Sequence, residues 1–239
     1  MALAMRSPFT PRARETRAEV LDDPRCDAEL RERSLTDVSR ANRLLGGTRA
    51  VLAEIRALLP ELARLGREVT LLDVGTGIGD IPAAARAMSA RAGVPMRAFG
   101  VDEAASLARA SVARLDGAIA GNALALPIAT SAVDIAMCSQ VLHHFPEDAA
   151  RQLLAELDRV ARHRVIVSDL RRSWVAACGL WVVSFPMGFH PVSRADGMLS
   201  VLKGFTAPEL RSLVHDATGI APVVHRRLGW RLTTSWRPA

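Results

Sequence analysis

The sequence predicts an α/β fold in which helices cover both faces of a doubly wound, mostly parallel sheet of seven strands. Short apolar segments alternate with helical segments between residues 69 and 168, and this alternation is typical of a parallel sheet with helical crossovers. A glycine-rich loop joins the first of these strands to the next helix, and two more strands are predicted near the C-terminal end. With 239 residues, of which 49% are hydrophobic, the chain can bury one sizeable core.

The predicted elements follow one another along the chain. Two helices come first: one is capped by Ser34 or Thr36 and ends at Gly46–Gly47, and the next is capped by Thr48 and ends near Gly66. Five strands are predicted at residues 69–73, 96–101, 117–120, 132–138 and 165–168, with helices at 81–91, 103–114 and 147–162 between them. A helix at 207–217 then precedes two strands at 223–227 and 230–234.

Charge and composition limit the classes of partner. The net charge is +6, but arginines are interleaved with acidic residues, so we expect a mixed solvated surface and no nucleic-acid partner. Cys26, Cys138 and Cys178 share no metal-ligand spacing, which favours reduced thiols in a cytoplasmic protein without a metal. The uncharged segment 174–189 is too short to cross a bilayer, so it is either buried or in weak contact with a membrane surface.

The loop after the first strand has the sequence DVGTGIGD and supplies five candidate ligand-binding residues, Asp73, Gly75, Gly77, Ile78 and Gly79. Glycines allow a sharp turn and a close approach of the backbone to a ligand, and the following helix offers unpaired N–H groups. The spacing is one residue tighter than the G-x-G-x-x-G fingerprint of dinucleotide sites. Because the acid beside the loop would repel a pyrophosphate and attract an ammonium, the pattern disfavours a nucleotide-dependent oxidoreductase.

Three later motifs accompany this loop in order: Val101-Asp102 after the second strand, GNALALP at residues 121–127, and VDIAMCS at residues 133–139. Together the four motifs resemble those of the class I S-adenosylmethionine-dependent methyltransferases, over residues 69 to about 169. The resemblance implies a Rossmann-like methyltransferase fold and S-adenosyl-L-methionine as the cofactor.

The resemblance also implies roles for individual residues. Asp102, which Glu103 follows, is expected to accept hydrogen bonds from the ribose hydroxyls, although it would serve equally to cap the next helix. Asn122 is expected to accept from the adenine amine while Ala123 leaves space for the ring, unless Asn122 serves only its own turn. Ser139, at the end of its strand, is expected near the methionine moiety.

Two histidines after the fourth strand are the candidate catalytic residues. A neutral imidazole suits deprotonation of a phenol or an activated carbon acid, so His143 or His144 is a candidate general base. Alternatively, one of them faces the core and caps the following turn. Arg171 and Arg172 would either bind an anionic acceptor or form a surface ion pair with Asp169.

We expect a single domain preceded by a mobile N-terminal arm. The predicted parts are the arm at 1–24, N-terminal helices at 25–66, a cofactor-binding core at 67–170, a helical substrate lid at 171–205, and a C-terminal helix and strands at 206–239. Tryptophans and valines of the lid would line an apolar pocket for the acceptor.

The chemical class of the methyl acceptor is inferred only from resemblances to smaller groups within this family. The stretch around Asn122 resembles ubiquinone and menaquinone methyltransferases, from which the histidine pair departs. Segments 42–47 and 205–210 resemble bacterial methyltransferases that act on polyketide-derived phenols. These resemblances imply secondary metabolism and O- or C-methylation of a small, aromatic and lipophilic acceptor.

Two alternatives remain beside this prediction. An RNA or protein methyltransferase would be expected to carry an N/D-P-P-Y-like motif after the fourth strand, where this chain has CSQV and no tyrosine at all. A non-catalytic scaffold that only binds the cofactor is the other alternative. The sequence does not indicate an oligomeric state.

Overall fold

The computed structural model describes residues 13–22 and 25–239. Within them the predicted α/β fold is confirmed, with seven strands in one sheet. The strands are β1 Val69–Val74, β2 Met96–Asp102, β3 Gly117–Ala120, β4 Val133–Ser139, β5 Ala161–Leu170, β6 Val224–Arg227 and β7 Arg231–Trp236. The helices are α1 Ala28–Leu44, α2 Gly47–Ala63, α3 Asp80–Arg91, α4 Ala105–Ser111, α5 Glu147–Val160, α6 Trp174–Ser184, α7 Pro191–Lys203 and α8 Ala207–Thr218, and a short 3₁₀ turn covers Leu142–His144.

The strand order, β3-β2-β1-β4-β5-β7-β6, decides where a ligand can bind. Strands β1 to β5 are parallel, and β7 runs antiparallel to β5. The order reverses between β1 and β4, which pair in register from Leu71 opposite Ile135 to Val74 opposite Cys138. In open α/β sheets the crevice beyond the strand ends at such a reversal is the usual ligand site.

The core lies on both faces of the sheet because side chains alternate along each strand. In β1, Leu72 and Val74 pack on one face in a cluster that includes α5 and α8, while Val69 and Leu71 pack on the other against α2 and α3. All four of these side chains are buried. This double burial holds the strand ends in place at the edge where the functional residues emerge.

The helix boundaries differ from prediction in several places. Helix α1 begins at Ala28 because Asp27 caps it, accepting a hydrogen bond from the Leu30 amide at 3.0 Å; both predicted capping residues, Ser34 and Thr36, lie inside the helix. Helix α5 ends at Val160, and β5 begins at once with Ala161. The lid consists of two helices, of which α7 was not predicted individually.

The N-terminal strap, residues 13–22, contacts the rest of the protein, whereas a mobile arm was predicted. The Glu15 amide donates to the Leu202 carbonyl at 3.2 Å, and the amides of Val20 and Leu21 donate to the carboxylate of Asp196 at 3.1 and 3.0 Å. These bonds fasten the strap along α7. The other residues of the predicted arm, 1–12 and 23–24, lie outside the described part of the chain.

Arg14 adds a second attachment for the strap. Its Nε donates to the Lys203 carbonyl at 2.8 Å, and its guanidinium lies 4.2 Å from the centre of the Phe205 ring. Within residues 13–22 and 25–239, we find no helix long and apolar enough to cross a membrane.

Candidate active site

A cavity of about 1180 Å³ opens at the carboxyl ends of the central strands. Pockets for a single small molecule usually measure about 300–1,000 Å³, so this one has room for a cofactor and an acceptor together. We divide it into two parts. The glycine-loop half contains residues 73–78, 101–104, 121, 123 and 139–140; the histidine half contains Glu19, His143, His144 and Arg231, with walls from α6 and α7.

The glycine loop has a backbone that side chains would obstruct. Gly75, Gly77 and Gly79 all have positive φ, at 74°, 55° and 73°. A Cβ on Gly75 would collide with the Val141 side chain, and one on Gly79 would lie 3.0 Å from Leu115. A Cβ on Gly77 would meet no atom within 4 Å, so the loop leaves open space above Gly77. Backbone and empty space together form a cradle for a ligand.

Asp102, at the end of β2, holds this loop in place. Its Oδ2 accepts from the Gly77 amide at 2.9 Å, and its Oδ1 accepts from the Ala104 amide at 3.0 Å. Burial raises the pKa of the Asp102 carboxyl. Each carboxylate oxygen can accept a second hydrogen bond, so the structural role and a role toward ribose hydroxyls are compatible. Ile78 and Glu103 line the same half of the cavity.

Three buried oxygen atoms of the glycine-loop half have no hydrogen-bond partners in the described structure. They are Asp73 Oδ1, at the end of β1, Thr76 Oγ1, in the loop, and Ser139 Oγ, at the end of β4. Burial raises the pKa of the Asp73 carboxyl well above its usual range. Buried polar atoms without protein partners are rare in folded proteins, and a bound ligand or water usually completes their hydrogen bonds. Their chemistry fits a ligand that brings an ammonium or another hydrogen-bond donor.

Two predicted cofactor residues, Gly79 and Asn122, do not line the cavity. The Asn122 side chain is exposed, and its Oδ1 accepts from the Leu124 amide at 2.8 Å, so the oxygen is used within its own turn. Its neighbours Gly121 and Ala123 do line the cavity. The structure therefore brings the backbone of this turn, and not the Asn122 amide, to the glycine-loop half.

His143 is buried, with 3% exposure, and is held by Asp169 from the end of β5. Its Nδ1 lies 2.6 Å from Asp169 Oδ1, and its backbone amide donates to Asp169 Oδ2 at 3.1 Å. Its Nε2 has no partner among the described residues, and the residue lines the cavity. Burial lowers the pKa of His143, although the charge of Asp169 opposes this shift. A neutral ring with a proton on Nδ1 leaves Nε2 free to accept another.

Arg171 and Arg172 were predicted either to bind an anionic acceptor or to form a surface ion pair with Asp169; neither arginine lines the cavity, and the predicted ion pair is wrong. The Asp169 carboxylate is fully buried; burial alone would raise its pKa, but the charge and hydrogen bond of His143 outweigh burial and lower it. Arg172 pairs with Glu209 at 2.6 Å, and Arg171 lies over the Trp230 ring. In sequence, the only sign of the His–Asp pair is an acid ending the strand next to the histidines.

His144 and Glu19 extend the histidine half toward the strap. The Glu19 carboxylate is buried, and its Oε1 lies 3.1 Å from Lys203 Nζ and 3.9 Å from His144 Nδ1. One ligand atom each from Glu19, His143 and His144 lies within 4.8 Å of the others, close enough to hold a cation. The ammonium of Lys203 already supplies positive charge at this carboxylate. The sequence did not single out Glu19 or Lys203 as functional residues.

The lid forms the apolar wall of the histidine half. Val175, Leu180 and Val183 from α6 line the cavity, as predicted for the valines. The tryptophans of the lid do not line it: Trp174 and Trp181 are exposed by 49% and 46%. Helix α6 is apolar on all sides, so only part of its surface can face the cavity.

The turn between α1 and α2 closes the opposite side. Asn42 accepts a short hydrogen bond from Gln140 Nε2, which ties α1 to the end of β4. Gly46 packs so tightly on the β6–β7 turn that a Cβ there would lie 2.9 Å from the Leu228 carbonyl oxygen. Both segments line the cavity.

Comparison with known proteins agrees with this geometry. Residues 72–167 match the family model described as methyltransferase domain. The matched range contains the glycine loop, Asp102 and His143, and it ends within β5, two residues before Asp169. Over residues 72–167 the chain carries a methyltransferase domain. The residues of the glycine-loop half lie within the matched range. No curated protein sequence matches the chain.

Solved structures share the fold of this methyltransferase at low sequence identity. Magnesium protoporphyrin IX methyltransferase from Synechocystis PCC 6803, with S-adenosylhomocysteine bound, is 14% identical, with 92% of this chain and 91% of that chain covered and a TM-score of 0.53. A methyltransferase from Thermotoga maritima is 13% identical, with 88% and 99% covered and a TM-score of 0.57. One from Aquifex aeolicus is 16% identical, with 79% and 98% covered and a TM-score of 0.50.

Proposed function

We propose that this methyltransferase modifies an oxygen or an activated carbon of a small, aromatic and lipophilic acceptor, such as a phenol or a polyketide. The observation that carries the proposal is the buried His143–Asp169 pair, whose unpartnered Nε2 belongs to an apolar-walled cavity. A general base is needed only where the nucleophile arrives protonated, as a phenol or carbon acid does.

The glycine-loop half is the proposed place of the cofactor. When bound, S-adenosylmethionine supplies a methyl group on a sulfonium that is open to in-line displacement. Asp102 is positioned for the ribose hydroxyls, and Asp73 and Ser139 offer the unpartnered oxygens for the amino-acid end. The backbone of Gly75 and Gly77, with Ile78 and Ala123 beside it, completes the wall.

His143 is the proposed base. Asp169 accepts the Nδ1 proton, which fixes the tautomer and leaves the Nε2 lone pair for the acceptor hydroxyl. When Nε2 takes the proton, the buried carboxylate stabilises the imidazolium. His144 is the weaker candidate, because its ring is partly exposed and its Nδ1 lies toward Glu19.

The nature of the acceptor follows from the walls of the histidine half. Aliphatic side chains of α6 and α7 exclude water and favour a hydrophobic body. The Synechocystis neighbour is named for magnesium protoporphyrin IX, which supports a small-molecule acceptor. A place in secondary metabolism, a cytoplasmic location, the absence of a nucleic-acid partner and a weak membrane-surface contact remain predictions.

The experiment is transfer of a radiolabelled methyl group from S-adenosylmethionine to a panel of phenols and β-dicarbonyl compounds. Each phenol is paired with its methyl ether, which has no transferable proton, and total RNA and protein extract are included. We expect label on at least one phenol or carbon acid, none on its ether, and loss of the label in the His143→Ala variant. Label on RNA or protein alone, or on no substrate despite cofactor binding, would contradict the proposal.

A further inference from the structure

Arg231 occupies an unusual position in the wall of the histidine half. It begins β7, stands opposite Leu170 in the β5–β7 ladder, and lies within electrostatic range of Asp169. Only 6% of the residue is exposed, yet it lines the cavity. A guanidinium buried beside the proposed base therefore borders the space where the acceptor binds.

The donors of Arg231 are almost unused. Nη1 donates to the Gly229 carbonyl at 3.3 Å, Nε has no partner, and the described chain provides no ion pair for the guanidinium. Burial lowers the pKa of Arg231 to about 10, so the group still carries its charge at neutral pH. A buried charge without a partner is costly and is seldom retained in a fold without a purpose.

Other buried basic groups nearby form ion pairs with carboxylates. Arg172 pairs with Glu209 at 2.6 Å, and Lys203 lies 3.1 Å from the Glu19 carboxylate. The charge of Asp169 attracts Arg231, but no hydrogen bond joins the two side chains among the described residues. The oxygens of Asp169 already accept from His143 Nδ1, the His143 amide and the Leu170 amide.

We propose that Arg231 is an anion subsite that binds a carboxylate on the methyl acceptor. Guanidinium and carboxylate match in a bidentate geometry, and the low dielectric of the cavity strengthens the pair. The proposal rests on the proposed function and narrows it. The acceptor is an aromatic or lipophilic acid, with the carboxylate at Arg231, the apolar body against α6, and the nucleophilic atom near His143.

The carboxylate of the cofactor is the other source of the same chemistry, and the sheet order argues against it. Asp73, proposed to hold the amino-acid end, lies on β1, and β4 and β5 separate β1 from β7. At about 4.8 Å between neighbouring strands, β1 and β7 are about 14 Å apart. Arg231 is thus on the acceptor side of His143, away from the glycine loop.

The test measures binding of acid and amide pairs to the protein saturated with S-adenosylhomocysteine, by calorimetry. The probes are benzoic, 1-hydroxy-2-naphthoic and anthracene-2-carboxylic acids, each with its neutral primary amide. Arg231→Gln is compared with Arg231→Lys, which keeps the charge, and with Arg171→Gln, a matched loss of an arginine that lies outside the cavity wall. Thermal unfolding checks that each variant is folded.

We expect the native protein to bind at least one acid more than tenfold tighter than its amide. Arg231→Gln should weaken binding of that acid about 10- to 100-fold, which is the effect expected for the loss of hydrogen bonds to a charged group. The affinities for the amide and for S-adenosylhomocysteine should not change. Arg231→Lys should retain part of the preference, and Arg171→Gln all of it.

Three results would overturn the subsite: no acid preferred over its amide, a preference that survives in Arg231→Gln, or a loss confined to S-adenosylhomocysteine binding, which would assign Arg231 to the cofactor. Because no turnover is needed, the outcome is distinguishable from failure of the proposed function. If acids bind through Arg231 but accept no methyl group, the anion subsite is supported and the proposed reaction is contradicted.

Discussion

The two halves of the cavity are built in different ways. The glycine-loop half comes from short segments that each follow a strand, and it meets its ligand mainly with backbone and open space, as at Gly77. The histidine half is assembled from the N-terminal strap, the 3₁₀ turn, the end of β5 and the start of β7. It presents buried charged side chains such as Glu19 and Arg231 within apolar walls.

The difference separates the tasks of the two halves. A cradle made of backbone can hold the same cofactor in many enzymes, because its hydrogen-bonding groups are backbone amides, which do not depend on the side chains around them. Charged side chains in a dry cavity select for the shape and charge of one class of acceptor. If this division is correct, substitutions in one half should leave the binding task of the other half unchanged.

The largest expected effect is the loss of turnover in His143→Ala. Removing the base should lower the rate of methyl transfer about 10²- to 10⁴-fold, while affinity for S-adenosylhomocysteine changes less than about twofold. Radiolabel transfer and calorimetry measure the two quantities. His215→Ala, at an exposed histidine of α8, is the control. Equal losses of turnover and cofactor affinity would show that the halves are not separate.

Asp169→Asn should come next, with turnover lowered about 10²-fold or more. An amide can donate to Nδ1, which favours the tautomer with the proton on Nε2 and so blocks the base. Native turnover in this variant, measured by radiolabel transfer, would show that Asp169 does not position His143.

The same pair sets the pH dependence of kcat/KM. Burial lowers the pKa of His143, so the neutral base persists below pH 6.5, and the rate should fall only as the pH drops through that lowered value. Asp169 opposes the shift, so its loss in Asp169→Asn should move the acidic limb to still lower pH. A limb that moves to higher pH would contradict the assignment.

In the glycine-loop half, Asp102→Ala should weaken S-adenosylhomocysteine binding about 10- to 100-fold. The substitution removes bonds to the Gly77 and Ala104 amides as well as those proposed to the ribose. Calorimetry compares it with Asp148→Ala, which removes an exposed carboxylate from α5. Unchanged affinity would show that the ribose assignment is wrong.

The smallest effects distinguish two glycines of one loop. Gly77→Ala should cost about 1–2 kcal/mol of stability from its positive φ alone, and its methyl group should lower cofactor affinity by about tenfold or less. Gly75→Ala carries the same strain plus a collision with Val141, so it should lower the unfolding temperature further. Chemical denaturation ranks the two variants. The reverse order would mean that Gly77 is packed and not open.

The fold could be predicted from the sequence because its elements are specified by short local patterns. Apolar strands, a strand-to-helix glycine loop and capped helices each depend on a few adjacent residues, and all seven strands were located within a few positions. The errors lie where two local signals compete. Asp27 outranks Ser34 as the cap of α1, and α7 contains polar residues that obscure its apolar face.

The residues of the site also differ in how far local sequence patterns could identify them. Asp73, Asp102 and Ser139 were identified from motifs, and each lines the cavity. The pairing of His143 with Asp169 depends on the register of two parallel strands, which no local pattern specifies. Arg231 belongs to no motif, and its function becomes visible only when its burial and its lack of an ion pair are known.

Calorimetric titration of the purified protein with S-adenosylmethionine, S-adenosylhomocysteine and NADPH, each separately, distinguishes a site for S-adenosylmethionine from a dinucleotide site. We expect binding of both adenosyl ligands in the micromolar range and none of NADPH, because the acid beside the tight glycine loop repels a pyrophosphate. Binding of NADPH, or failure of both adenosyl ligands to bind, would contradict this expectation.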